Sequence, residues 1–192
     1  MEHEFSWHPG IGDPTIGGWT TVALYLLTSL SCWRTTTFVG RGDRTDVQVW
    51  LTISVVFLFL GINKQLDLQS AMTEIGRMVA FANGWYQSRR IVQMDFIIAI
   101  AAVCLVAIPV IIYWARKFPI QTSVALVGSA FILSYVIIRA ASFHHFDRFI
   151  SSRYLGLKWN WILEITGIMV VLVASEWRRS KIFQRSPKRI IN

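Results

Sequence analysis

Nine consecutive residues, Arg139-Ala140-Ala141-Ser142-Phe143-His144-His145-Phe146-Asp147, hold a guanidinium, a hydroxyl, two imidazoles and a carboxylate. Such a set suits proton transfer, recognition of a polar ligand, or metal ligation. His144 and His145 are adjacent, so on a helix they point about 100° apart and cannot easily share one metal. One of them, with Asp67 or Asp147, could ligate zinc or copper. A hydrogen-bonded interfacial histidine is the simpler reading. Ser142 precedes His145 by three residues and could approach it as a nucleophile. The chain has no glycine-rich phosphate loop, CxxC or HExxH. A bis-histidine haem needs imidazoles facing each other from two helices, and only one apolar run ends in histidines.

Other polar residues stand at the ends of apolar runs: Asn63, Lys64, Asp67 and Gln69; Arg90, Gln93 and Asp95; Asn160 and Glu164. Asn63 and Asp67 are four apart, as are Asn160 and Glu164, while Arg139 and Ser142 are three apart, as are His144 and Asp147. Each pair shares one face of a continuous helix. Arg139 and Glu164 sit at matching depths inside their runs, which predicts an ion pair between them, because a charge in lipid is paired or faces a polar cavity. Lys64, Arg77, Arg148 and Arg153 read as snorkelling or solvated charges. The opposite ends of the runs carry no comparable mixture of carboxylate, imidazole and amide.

The elements that must position these groups follow from hydropathy. The 192 residues are 54% hydrophobic and 16% charged, with nine Trp and twelve Phe, whereas soluble domains are roughly 25% charged. The reading is an all-α membrane protein with one domain. Five spans are expected, at about 15–33, 46–66, 94–115, 120–143 and 159–177. The threonines at 35–37 and the Gly40-Arg41-Gly42-Asp43 turn are expected to end the first. After the second, Leu68, Met72, Ile75, Val79 and Ala82 recur at helical spacing with Gln69, Thr73, Glu74 and Arg77 opposite. That pattern predicts an amphipathic surface helix over 67–82, stopped by Asn83-Gly84. Pro109 lies inside the third span, where a local kink is tolerated. Gly128 and Ser129 suit close helix contact in the fourth. Trp7, Trp19, Trp85 and Tyr86 read as interfacial anchors.

The net charge of +8 raises the question of nucleic acid, but six of the nineteen basic residues (Arg178, Arg179, Lys181, Arg185, Lys188 and Arg189) form a tail at 178–192 directly after an apolar run. The tail is expected on the cytoplasmic side, against anionic headgroups, with no nucleic-acid partner. Cys32 and Cys104 fall inside apolar runs and suggest neither disulfide nor zinc knuckle. The acidic start lacks the basic region of a signal peptide, so the first run is expected to stay as a helix. Eleven Lys and Arg fall on the C-terminal side of the membrane and seven on the other, which predicts the N-terminus outside and the C-terminus in the cytoplasm.

Gly61-Ile62-Asn63-Lys64-Gln65-Leu66-Asp67-Leu68-Gln69, then Gly84-Trp85-Tyr86, Arg89-Arg90, Gln93, Ser142-Phe143-His144-His145-Phe146-Asp147 and Asn160-Trp161-Ile162-Leu163-Glu164, resemble a family of small bacterial inner-membrane proteins without settled function. The likeness covers about residues 45–175. Some members carry an isopropylmalate-isomerase label, but that soluble enzyme needs cysteines for an iron–sulfur cluster, and this chain has only two. Ser142-Phe143-His144 is also similar in flavour to the membrane hydrolases that include alkaline ceramidases. Those have seven spans and a later His-x-x-x-His pair, which this chain lacks.

Three functional expectations follow. The first is a pocket on the non-cytoplasmic side, lined by Asn63, Lys64, Asp67, Gln69, Arg139, Ser142, His144, His145, Asp147, Asn160 and Glu164, that binds a small polar ligand, a lipid headgroup or a partner subunit. The second is a membrane-embedded hydrolase, with or without a bound zinc or copper, with His144 or His145 as base or ligand, Asp67 or Asp147 as partner, and Asn63 as oxyanion donor. The third is an accessory subunit of a membrane complex.

Overall fold

The computed structural model describes residues 12–40, 43–66, 68–84, 86–141, 153–154 and 157–185, some of them by backbone alone. Six helices carry these residues: α1 (Ile16–Val39), α2 (Arg44–Leu66), α3 (Leu68–Ala82), α4 (Arg89–Ala115), α5 (Ile120–Ala141) and α6 (Trp159–Arg185). A single 3-10 turn, Tyr86–Ser88, precedes α4. A two-residue antiparallel ladder precedes α6, with β1 (Arg153–Tyr154) in register so that Arg153 faces Lys158 and Tyr154 faces Leu157 of β2 (Leu157–Lys158). Among the described residues, two helical segments, Arg44–Leu66 and Ile120–Ile137, are long and apolar enough to cross a membrane.

Each α1 boundary has a local cause. Thr15 caps the start, its hydroxyl accepting from the Gly18 amide at 3.1 Å. The end lies six residues beyond the expected 33. Thr35, Thr36 and Thr37 do not break the helix, because each hydroxyl donates to a carbonyl three or four residues back: Ser31 at 2.9 Å, Trp33 at 2.6 Å and Arg34 at 2.7 Å. Threonine satisfied in this way stays helical. Gly40 ends the run at φ 73°, a conformation a side chain would strain.

α1, α2, α5 and α6 form the bundle, with α1 against α2 and α6, and α5 against α6. Tyr25, Trp50, Ile53, Phe57, Ile132, Ile168 and Val171 make its core. Five hydroxyls of α1 are buried, on Thr21, Thr28, Ser29, Ser31 and Thr35, while Leu26, Leu27, Leu30 and Trp33 are exposed. Ser29 and Ser54 tie α1 to α2 reciprocally, each hydroxyl donating to the other residue's carbonyl at 2.8 Å. Close approach of α5 to α6 depends on missing side chains. A Cβ at Gly128 would stand 3.0 Å from Val171, and one at Gly167 would stand 2.3 Å from the Ile132 Cδ1. The expectation for Gly128 therefore holds.

α4 runs unbroken through Pro109 and packs on α5, with Met94, Ile98, Val103, Leu105 and Val106 exposed. α3 makes its main contacts with the adjacent end of α2 and with the 3-10 turn, leaving Ile75 and Val79 exposed. It stops where the asparagine–glycine pair predicts: the Asn83 side-chain amide donates to the Val79 carbonyl at 2.8 Å, and Gly84 takes φ 71°.

Candidate polar site at the upper end of the bundle

The chain runs up and down, so α2 ends and α6 begins at one end of the bundle, here the upper one. Gly61 sits one turn below that end, and a Cβ there would lie 3.1 Å from the Tyr25 Cβ. This crossing carries Lys64, one turn on, toward α6. Its Nζ lies 2.8 Å from Glu164 Oε2, with side-chain exposures of 9% and 2%. Tyr25 donates its hydroxyl to the other carboxylate oxygen, Oε1, at 3.0 Å, and its ring meets Phe57 edge-on at 5.8 Å. Three helices therefore converge on one buried carboxylate. The reading of Lys64 as a snorkelling or solvated charge is corrected: its side chain is nine-tenths buried, and Glu164 takes the place of most of the water.

The segment before α1 closes over this group. The Gly12 amide donates to the Gln65 carbonyl at 2.9 Å. Asp13 accepts from the Thr15 hydroxyl at 2.5 Å and from its amide at 3.3 Å. Trp161, at the start of α6, also donates to Asp13, and its indole leaves no room for a Cβ at Gly17. Burial pushes the Asp13 carboxyl up, but the bonds from Thr15 and Trp161 and the Lys64 charge outweigh it and hold the group below its usual value. Both amide atoms of the Gln65 side chain are buried and have no hydrogen-bond partner among the described residues.

Of the residues expected here, Asn63, Lys64 and Glu164 are described with their side chains, and Asn63 is half-buried on α2. The backbones of Gln69, Arg139 and Asn160 lie on α3, α5 and α6, but their side chains fall outside the described residues, as does the expected Arg139–Glu164 contact. Asp67, Ser142, His144, His145 and Asp147 also lie outside them. Among the described residues no three His, Cys, Asp or Glu side chains gather as a metal site.

No protein-family model, curated protein or solved structure matches this chain.

Tyr25 is the participant that sequence reading missed. Its signal was present, a phenol inside an apolar run, since a buried tyrosine hydroxyl needs a partner. The opposite end also departs from expectation. Asp46, fully buried at the start of α2, pairs with Arg178 of α6 at 2.7 Å and accepts from Thr122 of α5 at 2.8 Å. Thr122 in turn accepts from the Trp50 indole at 3.2 Å. Ser31 donates to Glu176 at 2.7 Å, and Glu176 pairs with Arg179. The lower end thus holds a carboxylate network of its own, and Arg178 and Arg179 belong to it rather than to a free tail. Helical structure runs on through Arg185.

Proposed function

We propose that this chain is an all-α, five-span protein of the bacterial inner membrane whose upper-end polar cluster binds a small polar ligand or lipid headgroup outside the cytoplasm. The observation that carries the binding reading is the Lys64–Glu164–Tyr25 group, buried where three helices meet, next in sequence to Gln65, whose buried side-chain amide has no partner among the described residues. A buried amide without partners costs about 1–3 kcal/mol, a cost that a bound polar group offsets. The membrane reading is supported by the many exposed Leu, Ile and Val side chains along α1, α2 and α4, beside buried hydroxyls on α1. The two spanning segments are only 33% and 39% buried, unlike core helices of a soluble protein. Spans of α1, α2, α4, α5 and α6, with α3 along the surface, extend that reading to the whole chain.

Soluble glycerophosphodiester headgroups added to detergent-purified protein should raise the thermal midpoint of the wild type and not of Lys64→Met/Glu164→Leu. An equal shift in both removes the site from that pair. Orientation is read from an impermeant maleimide on spheroplasts: Glu4→Cys should label in intact cells and Lys188→Cys only after lysis. The reverse pattern overturns the assignment.

The exposed face of α4 favours a second reading, an accessory subunit of a membrane complex. The mass of the complex extracted in mild detergent separates the two: a single chain with its lipid belt counts against the subunit role.

A further inference from the structure

A groove of about 670 Å³ opens between α4, α5 and α6. Ile112, Val124, Val127, Phe131 and Val170 line it, the Gly128 and Gly167 backbones form part of its wall, and Arg116 is its one charged lining residue. Ser123 adds no unmet demand, because its hydroxyl donates to the Ala115 carbonyl at 2.5 Å. We propose that this groove seats one acyl chain of an anionic phospholipid from the cytoplasmic leaflet, with Arg116 and Lys117 at its mouth holding the headgroup phosphate. This rests on the membrane orientation proposed above but concerns a different site at the opposite end.

Length selects the occupant. The groove follows α5 from Ile120 to Phe131, twelve residues whose Cα atoms span about 16 Å of helix. One leaflet of the hydrocarbon core is about 15 Å, half of roughly 30 Å. An acyl chain fits that reach, whereas a spanning helix from a second copy would need a face of twice the length. Charge selects the headgroup. Arg116 is exposed beside the groove, Lys117 follows it with its ammonium 5.6 Å above the Trp114 ring, and no acidic residue lines the cavity. Basic pockets between helices on the cytoplasmic side recognise anionic headgroups in this way.

The test is native mass spectrometry on full-length protein reconstituted in phosphatidylcholine with and without phosphatidylglycerol, then stripped with detergent. Wild type should keep one phosphatidylglycerol and no phosphatidylcholine. Arg116→Ala/Lys117→Ala should retain roughly tenfold less or lower still, the scale set by two basic side chains near an anionic surface. Val127→Trp, which fills the groove without touching the basic pair, should lose the bound lipid altogether. Retention unchanged in either variant, equal retention of the two lipids, or no lipid on the wild type overturns the proposal. So does a dimer that Val127→Trp dissolves, since a second copy would then occupy the groove. Carbonate-resistant pelleting is run alongside. A chain that washes off membranes sinks the membrane reading, whereas a chain that stays inserted with indifferent lipid retention sinks the groove alone.

Discussion

Lys64 and Glu164 lie a hundred residues apart in sequence, yet their charged atoms close to 2.8 Å inside the bundle. A buried pair of this kind stabilises less than its geometry suggests, because both ions give up hydration. Removing one partner is the costly change. Lys64→Ala should lower stability by about 3–5 kcal/mol by stranding the Glu164 carboxylate. The double change Lys64→Met/Glu164→Leu should cost much less, and thermal unfolding in detergent of all three proteins checks the order. Tyr25→Phe, which removes one bond to that carboxylate, should cost about 1–3 kcal/mol.

The lower network has the same logic with a different weak point. Asp46→Ala deprives Arg178 and Thr122 of their acceptor and should destabilise more than Thr122→Val, which strands the Trp50 indole N–H and takes one donor from Asp46 but leaves the Arg178 pair in place. We expect about 3–5 kcal/mol for the first and about 1–3 kcal/mol for the second. Equal losses would mean that the ion pair adds nothing to the hydroxyl bridge.

Gly167→Ala should force α5 and α6 apart, because the new methyl would meet Ile132 at 2.3 Å and Ile132 is fully buried. Overpacking of this size costs about 1–3 kcal/mol. Trimming the neighbour in Gly167→Ala/Ile132→Val should recover part of the loss. A double mutant less stable than the single one would rule out this contact as the cause.

Asp13 gives the upper end a pH dependence. Its folded pKa lies below the ordinary 3.8, so the unfolded chain takes up its proton first as the solution is acidified. The stabilisation is complete above the unfolded value and is lost as pH falls through the folded one. Thermal midpoints followed from neutral pH down to about 3 should fall faster for wild type than for Asp13→Asn, which has no carboxylate to protonate. Parallel curves would remove Asp13 from the acid response.

The helices were legible because their signals are local. Asn83-Gly84 stops α3 as it should, and Thr15 caps α1 where the first apolar run begins. Lys64 and Glu164 were both legible as members of a polar cluster at the upper end, since each stands near the end of an apolar run. Their pairing with each other was not. Matching depth pointed from Glu164 to Arg139, whose side chain lies outside the described residues, and depth alone does not say which way α2 is rotated and so gave no reason to add Lys64. Nor did hydropathy find the Asp46–Arg178 network, because each residue read singly is an ordinary charge at a helix end.

The sequence by itself determined six helical segments, their order, and an excess of apolar surface, all from residue type at short range. Which face of each helix turns inward was left to the tertiary structure. α1 and α2 carry no apolar stripe along one face, so hydrophobic periodicity cannot orient them. Small residues and hydroxyls choose the face: Gly61 lets α2 approach Tyr25, Ser29 grips Ser54, and Gly128 and Gly167 bring α5 against α6. Those contacts fix the rotations, and the rotations place Lys64 on the carboxylate of Glu164, a hundred residues away.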